Sequence, residues 1–131
     1  MMNIPKLNDG EIYIGAIISA DGSRNHHLIL MPDLAVYLCW KDAIAWAESI
    51  GGELPDRVEG ALLFAHAKDQ FEQKWYWTRE KHAAYSSYAW GQSFDDGRQD
   101  YYGKDYQLRA RAVRRVLIEE KLIDQAMREG E

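Results

Sequence analysis

The spacing of apolar residues changes twice along this chain, and this change constrains the fold more than any other feature of its 131 residues. Residues 11–19 alternate with a period of two, which is typical of a β-strand. Asp21 and Gly22 supply turn chemistry, because glycine tolerates a positive φ. Residues 27–31 are then predicted to form the returning strand of a hairpin, and Pro32 is expected to end it.

The spacing next becomes three and four, which predicts a helix over residues 40–50. Its apolar stripe consists of Ala43, Trp46, Ala47 and Ile50. Gly51 and Gly52 follow it, and glycine commonly stands just past the end of a helix.

A second helix is predicted from Asp56 to about residue 68. Asp56 and Glu59 have the spacing of a capping box, with an acid in place of the usual Ser or Thr. The apolar residues expected to form its buried stripe are Val58, Ala61, Leu62 and Ala65.

The C-terminal half returns to β-prone sequence. Residues 75–78, 88–94 and 108–116 are expected to form an antiparallel meander, with a turn at 95–100. The fold class is therefore α+β, with two helices packed on one sheet that includes both 11–19 and 108–116. Residues 119–128 regain helical spacing, so we expect a domain over 1–117 and a short helical tail over 118–131.

Composition limits the classes of function. The net charge is −5, which does not favour binding to nucleic acid or to an anionic membrane. Cys39 is the single cysteine, so no intrachain disulfide is expected. Residues 1–10 lack the apolar run of a signal peptide, and no apolar run is long enough to span a bilayer. These features predict a cytoplasmic protein.

Aromatic residues are concentrated in one segment, since ten of the sixteen lie between Trp75 and Tyr106. Large rings are a main source of core burial, so Trp77, Trp90 and Phe94 are predicted to be core residues. The remaining cluster has a different setting, because acids, glycine and lysine separate its rings. Exposed tyrosines among small polar residues are typical of recognition surfaces, so this cluster is predicted to bind a partner; it comprises Tyr101, Tyr102 and Tyr106.

The arginines near the C-terminal end are interpreted as structural, although a phosphate or nucleic-acid role stays open. They are Arg109, Arg111, Arg114 and Arg115. Arginine forms bidentate pairs with carboxylates, and the expected partners are Asp56, Glu59, Asp95 and Asp96.

No metal, cofactor or catalytic motif is predicted. Asp95, Asp96 and Asp100 lack the regular ligand spacing of a helical calcium loop. His26 and His27 would point to opposite sides of a strand, and neither His66 nor His82 has a partner at a recognisable spacing.

The chain also has no phosphate-binding glycine loop and no nucleophile elbow. An acid pair such as Asp95 and Asp100 is not singled out by any pattern, so we expect a protein that is not an enzyme.

Several motifs together resemble the Lcl C-terminal domain family, which is common in phage and prophage genomes. The first runs through Trp40, Ala43, Gly51-Gly52, Leu54-Pro55, Arg57 and Glu59. The later ones are Tyr76-Trp77-Thr78, Ala89-Trp90-Gly91-Gln92 with Phe94 and Gly97, and Arg111 to Arg115. The resemblance covers about residues 11 to 116 and implies a C-type-lectin-like fold.

The resemblance also implies where a ligand would bind, because related phage proteins display variable contacts on their C-terminal strands and loops. The expected ligand-binding residues are Tyr88, Gln92, Ser93, Asp95, Asp96, Arg98, Asp100, Tyr101, Tyr102, Lys104 and Tyr106. The Glu-Pro-Asn and Trp-Asn-Asp motifs of calcium-dependent lectins are absent, so sugar binding through calcium is not implied.

These features together predict a binding module that recognises a host or phage protein, or a small ligand. Two alternatives stay open, namely a small cytosolic phage inhibitor that captures a protein or nucleotide signal of host defence, and an enzyme of unknown reaction. A place in the virion and a homo-oligomer formed through the C-terminal helix also stay open.

Overall fold

The computed structural model describes residues 3–119 together with residues 123, 127 and 128. The elements within these residues are β1 (Ile12–Ile18), β2 (Asn25–Leu38), α1 (Trp40–Ser49), α2 (Arg57–Ala67), β3 (Trp75–Lys81), β4 (Tyr88–Ser93), β5 (Gln99–Gly103) and β6 (Leu108–Leu117). A single 3-10 turn, Lys68–Gln70, continues α2. The predicted α+β class is confirmed, and both helices begin and end close to their predicted limits.

The six strands form one sheet in the order β1-β2-β6-β3-β4-β5. Neighbours are antiparallel except β3 and β6, which are parallel and pair at Tyr76 and Arg109. The sheet therefore includes the two segments predicted to share it, 11–19 and 108–116. They do not pair directly, because β2 lies between them.

The two helices cover opposite faces of this sheet. On β6, Ala112 belongs to the apolar cluster that includes Ala43 and Ala47 of α1, whereas the next residue, Val113, belongs to the cluster that includes Leu63 of α2. Successive side chains of a strand point to opposite faces. The sheet is therefore the middle layer of three.

The predicted capping box begins α2. Asp56 accepts a hydrogen bond from the backbone N–H of Glu59, and the Glu59 side chain accepts one from the backbone N–H of Asp56. The Glu59 carboxylate also receives two hydrogen bonds of 2.6 Å from Arg115 and lies 2.8 Å from His26 Nε2. Arg24 pairs with Asp56 at 2.5 Å. This network joins the start of α2 to β2 and β6.

The buried side of α2 differs from the predicted stripe. Val58 is 53% exposed, Ala61 and Ala65 are also exposed, and the buried residues are instead Glu59, Gly60, Leu63 and Ala67. The predicted stripe was wrong because it was drawn from apolar residues alone, whereas the buried side includes the charged Glu59. Its pairing with Arg115 draws the carboxylate into the protein and rotates the buried side by one residue.

Other C-terminal arginines are also structural. Arg114 pairs with Glu11 at 2.8 Å. Arg111 is buried and donates to two backbone carbonyls, and its guanidinium lies 5.0 Å from the centre of the Phe71 ring. These contacts agree with the structural interpretation of the arginines, although carbonyls take the place of the expected acids at Arg111.

The sequence predicted that Pro32 would end the second strand, and this prediction was wrong. β2 continues to Leu38, and its register against β6 shifts between Leu30 and Leu34 and again between Ala35 and Leu38. A bulge leaves a residue outside the ladder, so a proline there removes no hydrogen bond from it.

The C-terminal half is not a simple meander. β3, β4 and β5 are consecutive antiparallel neighbours, but β6 lies on the other side of β3, between β3 and β2. The predicted turn at 95–100 leads into β5, a strand that the sequence analysis did not predict because its residues are mostly polar.

Most of the predicted C-terminal helix, including Leu122 and Ala126, lies outside the described residues. Ile118 and Ile123 are buried, whereas Met127 is exposed. No helix in the described part of the chain is long and apolar enough to cross a membrane.

Candidate functional site

The β4–β5 hairpin carries most of the predicted binding residues. Its register pairs Tyr88 with Gly103 and Trp90 with Tyr101. These pairs place Tyr88, Trp90 and Tyr101 on the sheet face that α2 covers, while Tyr102 lies on the opposite face. Two of the predicted binding residues, Tyr101 and Tyr102, therefore point to different sides of β5.

Residues at the open end of the hairpin and in the loop after it line a surface pocket of about 260 Å³. We refer to it as the tyrosine pocket, and its lining residues are Ser87, Tyr88, Tyr101, Tyr102, Gly103, Asp105 and Tyr106. All four tyrosines among the predicted binding residues are in this set. The tyrosines stand on β4, on β5 and in the loop after β5, so the folded hairpin holds them in place.

Two of the tyrosines that line the tyrosine pocket, Tyr88 and Tyr101, belong to a larger aromatic cluster. The Tyr88 and Tyr101 rings meet nearly at right angles, with centroids 5.5 Å apart. Tyr101 in turn contacts Trp90 at 5.4 Å and His82 at 4.6 Å. The guanidinium of Arg57, the first residue of α2, lies 3.6 Å from the centre of the Trp90 ring.

Trp90 is half-buried, and the prediction that it is a core residue is wrong. Trp90 lies beside the first residue of α2, so its ring is covered by the Arg57 guanidinium and not by apolar side chains of the helix. Arg57 is itself held by a hydrogen bond of 2.9 Å from its Nε to Gln99 Oε1. By contrast, Trp77 and Phe94 are buried as predicted.

The other two tyrosines that line the tyrosine pocket are Tyr102 and Tyr106. Tyr102 is half-buried, and its ring lies 5.2 Å from Trp75 and 5.7 Å from Tyr106. Burial, with the nearby Asp100 carboxylate, raises the pKa of Tyr102 above its ordinary value of 10.0. The Tyr102 hydroxyl therefore stays protonated at neutral pH.

Asp105 is the one charged residue among the described residues that line the tyrosine pocket. Its Oδ1 lies so close to Gly103 that a Cβ added there would be only 2.8 Å from it. The absence of a side chain at Gly103 is thus what lets the carboxylate lie against β5. The ion pairs within the described part of the chain do not include Asp105.

Five predicted binding residues lie instead at the closed end of the hairpin: Gln92, Ser93, Asp95, Asp96 and Arg98. Gln92 is only 1% exposed, and its Nε2 donates to the carbonyls of Ser93 and Gly97. Ser93 is buried, and its Oγ accepts from the backbone N–H groups of Asp95 and Asp96. Arg98 pairs with Asp96 at 2.9 Å. These contacts shape the turn.

The two remaining predicted residues are near the tyrosine pocket but outside its lining. The Asp100 carboxylate accepts a hydrogen bond from the backbone N–H of Tyr101 at 2.8 Å. The Lys104 ammonium lies over the ring of Trp40, 4.6 Å from its centre. Both charges are therefore already engaged within the protein.

Several site residues were not predicted. Ser87, Gly103 and Asp105 complete the tyrosine pocket, and Arg57 and His82 support its neighbouring rings. Recognising β5 would have revealed Gly103, because it pairs with Tyr88. Arg57 and His82 come from other parts of the chain, and no local pattern signals their approach.

A wider depression of about 520 Å³ lies beside the start of α2, between Arg57 and Glu80. Its charged groups are already paired, since Arg57 Nε bonds to Gln99 and Glu80 accepts from the backbone N–H of Arg57. In the described residues, no group of three or more His, Cys, Asp or Glu side chains is placed to hold a metal ion. The tyrosine pocket is thus the better candidate site.

A scan of the chain against protein-family models finds no match. A search among curated proteins finds no significant match either. The functional assignment therefore depends on the geometry of the tyrosine pocket.

Proposed function

We propose that this protein is a non-enzymatic binding module whose recognition site is the tyrosine pocket. The observation that carries the proposal is the convergence of four tyrosines from two strands and a loop on one surface pocket. Tyrosine offers a large contact area and a polar hydroxyl at a small cost in side-chain entropy, which makes it common at recognition sites.

The exposure of the rings supports this role. Tyr88, Tyr101 and Tyr106 are 38%, 40% and 57% exposed. Contiguous exposed apolar surface on a soluble protein commonly marks an interaction site. The rings also stand on a hairpin tied to α2, so little conformational freedom would be lost on binding.

The motifs shared with the Lcl C-terminal domain family support a finer proposal. By that resemblance the fold is C-type-lectin-like, the origin is a phage or prophage, and the protein acts in the host cytoplasm or on the virion. The partner would be a host or phage protein or a small ligand. The acids Asp100 and Asp105 favour a partner with a basic patch, whose association slows as salt rises.

Affinity capture from bacterial lysate, with quantitative mass spectrometry, tests the proposed site. The double variant Tyr88→Ser/Tyr101→Ser removes two exposed rings of the tyrosine pocket. We expect it to capture the partner about tenfold less well or worse, since interface aromatics commonly contribute about 2 kcal/mol each. Its melting temperature should stay close to that of the wild type, because both rings are largely at the surface.

Tyr37→Ser is the matched control, because Tyr37 is 66% exposed and lies outside the tyrosine pocket. It should capture the same partner as the wild type. A partner that survives the double variant but is lost with Tyr37→Ser would place recognition elsewhere on the surface.

A further inference from the structure

Four tyrosines line the tyrosine pocket, and their rings form two pairs whose planes are inclined to each other. The Tyr88 and Tyr101 planes are 79° apart, and those of Tyr102 and Tyr106 are 44° apart. The face of an aromatic ring carries negative potential and attracts a cation within about 6 Å of its centre. Several rings turned about one small pocket are the arrangement by which proteins bind organic ammonium groups.

The charge of the tyrosine pocket points the same way. Asp105 supplies a carboxylate beside Gly103, whereas the Asp100 carboxylate, on the same strand as Gly103, already accepts the N–H of Tyr101. The nearby cations are directed elsewhere, with Lys104 over Trp40 and Arg98 paired with Asp96. An anionic ligand would meet the Asp105 carboxylate without a compensating cation, whereas a cationic ligand would neutralise it.

The size of the tyrosine pocket selects a small group. Its volume of about 260 Å³ is below the roughly 300–1,000 Å³ of sites that enclose drug-sized ligands. We propose that the tyrosine pocket binds an organic cation, an alkylammonium or guanidinium group, between its tyrosine rings and the Asp105 carboxylate. This inference rests on the proposed function and names the chemical class of the ligand.

Two probes of equal shape test the charge requirement. Choline is compared with its neutral isostere, in which carbon replaces the quaternary nitrogen, in NMR titrations that follow the tyrosine ring signals. We expect saturable shifts at Tyr88 and Tyr101 with choline, and affinity lower by about fivefold or more for the isostere. Equal affinities, or no saturable shift with choline, would overturn the proposal.

The source of the cation is decided by a second pair of probes, the blocked tripeptides Gly-Lys-Gly and Gly-Gln-Gly. Tighter binding of the lysine peptide than of choline assigns the site to a side chain of a protein partner. Tighter binding of choline assigns it to a free small organic cation. In either case the glutamine peptide should bind more weakly than the lysine peptide.

Asp105→Asn keeps the shape of the tyrosine pocket and removes its charge. It should weaken the affinity for choline by about fivefold, since an attraction of roughly 1 kcal/mol corresponds to that factor. The affinity for the neutral isostere should not change. Asp95→Asn is the matched control, because Asp95 is an exposed acid at the closed end of the hairpin. It should bind choline as the wild type does, and unchanged choline binding by Asp105→Asn would contradict the proposal.

The two proposals can fail separately. If Tyr88→Ser/Tyr101→Ser loses the captured partner while choline and its isostere bind alike, the cation assignment fails and the binding site stands. If that double variant keeps its partner, the proposed function fails, whatever choline does.

Discussion

At the scale of single residues, exposure separates aromatic side chains that hold the fold from those that line the candidate site. Trp77 is completely buried between the sheet and α1, and its Nε1 donates to the carbonyl of Leu38 at 2.8 Å. Tyr101 has neighbours on one side and solvent on the other. Trp90 is intermediate, because Arg57 covers it.

Replacing Trp77 should therefore cost far more stability than replacing Tyr101. We expect Trp77→Ala to lower the free energy of unfolding by about 3–5 kcal/mol, through lost burial and the cavity left behind. Tyr101→Ala should cost about 1 kcal/mol or less, and Trp90→Ala should lie between them. Urea unfolding followed by circular dichroism measures all three, and a loss for Tyr101→Ala equal to that for Trp77→Ala would reverse the assignment.

At the scale of elements, the β4–β5 hairpin is positioned by its turn as well as by its strands. Gly97 has φ +84°, and a Cβ added there would be 2.6 Å from a ring carbon of Phe64 on α2. Gly22, in the β1–β2 turn, has a similar φ of +75° but open space around it. The two glycines share a backbone conformation and differ in their surroundings.

Alanine at these two positions separates backbone strain from packing. Gly22→Ala should cost roughly 1–2 kcal/mol, the strain of a left-handed conformation in a residue with a Cβ. Gly97→Ala should cost about 1–3 kcal/mol more, because the helix and the turn must move apart. Equal losses of unfolding free energy in urea would show that the turn is not held by its contact with α2.

The outer edge of β5 is partly closed. β5 pairs with β4 alone among the described strands, and alternate backbone groups of an edge strand face outward. The Asp100 carboxylate accepts the N–H of Tyr101, which removes one outward donor and adds charge to the edge. This arrangement disfavours pairing with a strand from another protein and leaves the rings as the proposed recognition surface.

At the scale of the whole molecule, buried and paired charges make stability depend on pH. Hydrogen bonds from Arg114 lower the pKa of Glu11 from 4.5 to about 2. Burial alone would raise the pKa of Glu59, but hydrogen bonds from Arg115 and the N–H of Asp56 outweigh it and bring the pKa to about 2. Their stabilisation is fully present above about pH 4.5 and is lost as the pH falls toward 2.

Two other groups modify this dependence. Burial raises the pKa of Asp56, so its protonation in acid favours the folded state. This effect opposes the loss of stability from Glu11 and Glu59, but it comes from one carboxylate and theirs from two. Burial also lowers the pKa of His27 below 6.5, and the repulsion from His26 adds to this. Since the unfolded chain then binds a proton more readily at this ring, stability begins to fall as the pH drops below about 6.5.

We expect urea unfolding at a series of pH values to show a free energy of unfolding that falls from about pH 6.5 and more steeply below about pH 4.5. Glu11→Gln removes one titrating pair, so its stability should be lower at neutral pH and less sensitive to acid. A free energy of unfolding that stays constant from neutral pH to about pH 3 would contradict this assignment of the charges.

Local patterns in the sequence were sufficient for most of the elements. The capping box of Asp56 and Glu59, the glycines after α1 and the alternation of β1 involve residues a few positions apart. Such short-range geometry depends little on the rest of the chain. The tyrosines of the candidate site could also be predicted, because rings set among acids and glycine do not suit a core.

The tertiary structure alone decided how these pieces meet. Arg115 draws Glu59 inward across 56 positions of sequence and so sets which side of α2 is buried. β6 inserts between β2 and β3, which leaves polar β5 as an edge strand. Asp105 becomes part of the tyrosine pocket only because that edge brings it beside Tyr88. Each outcome depends on partners distant in sequence, whose approach is set by the sum of the packing and charge interactions across the fold.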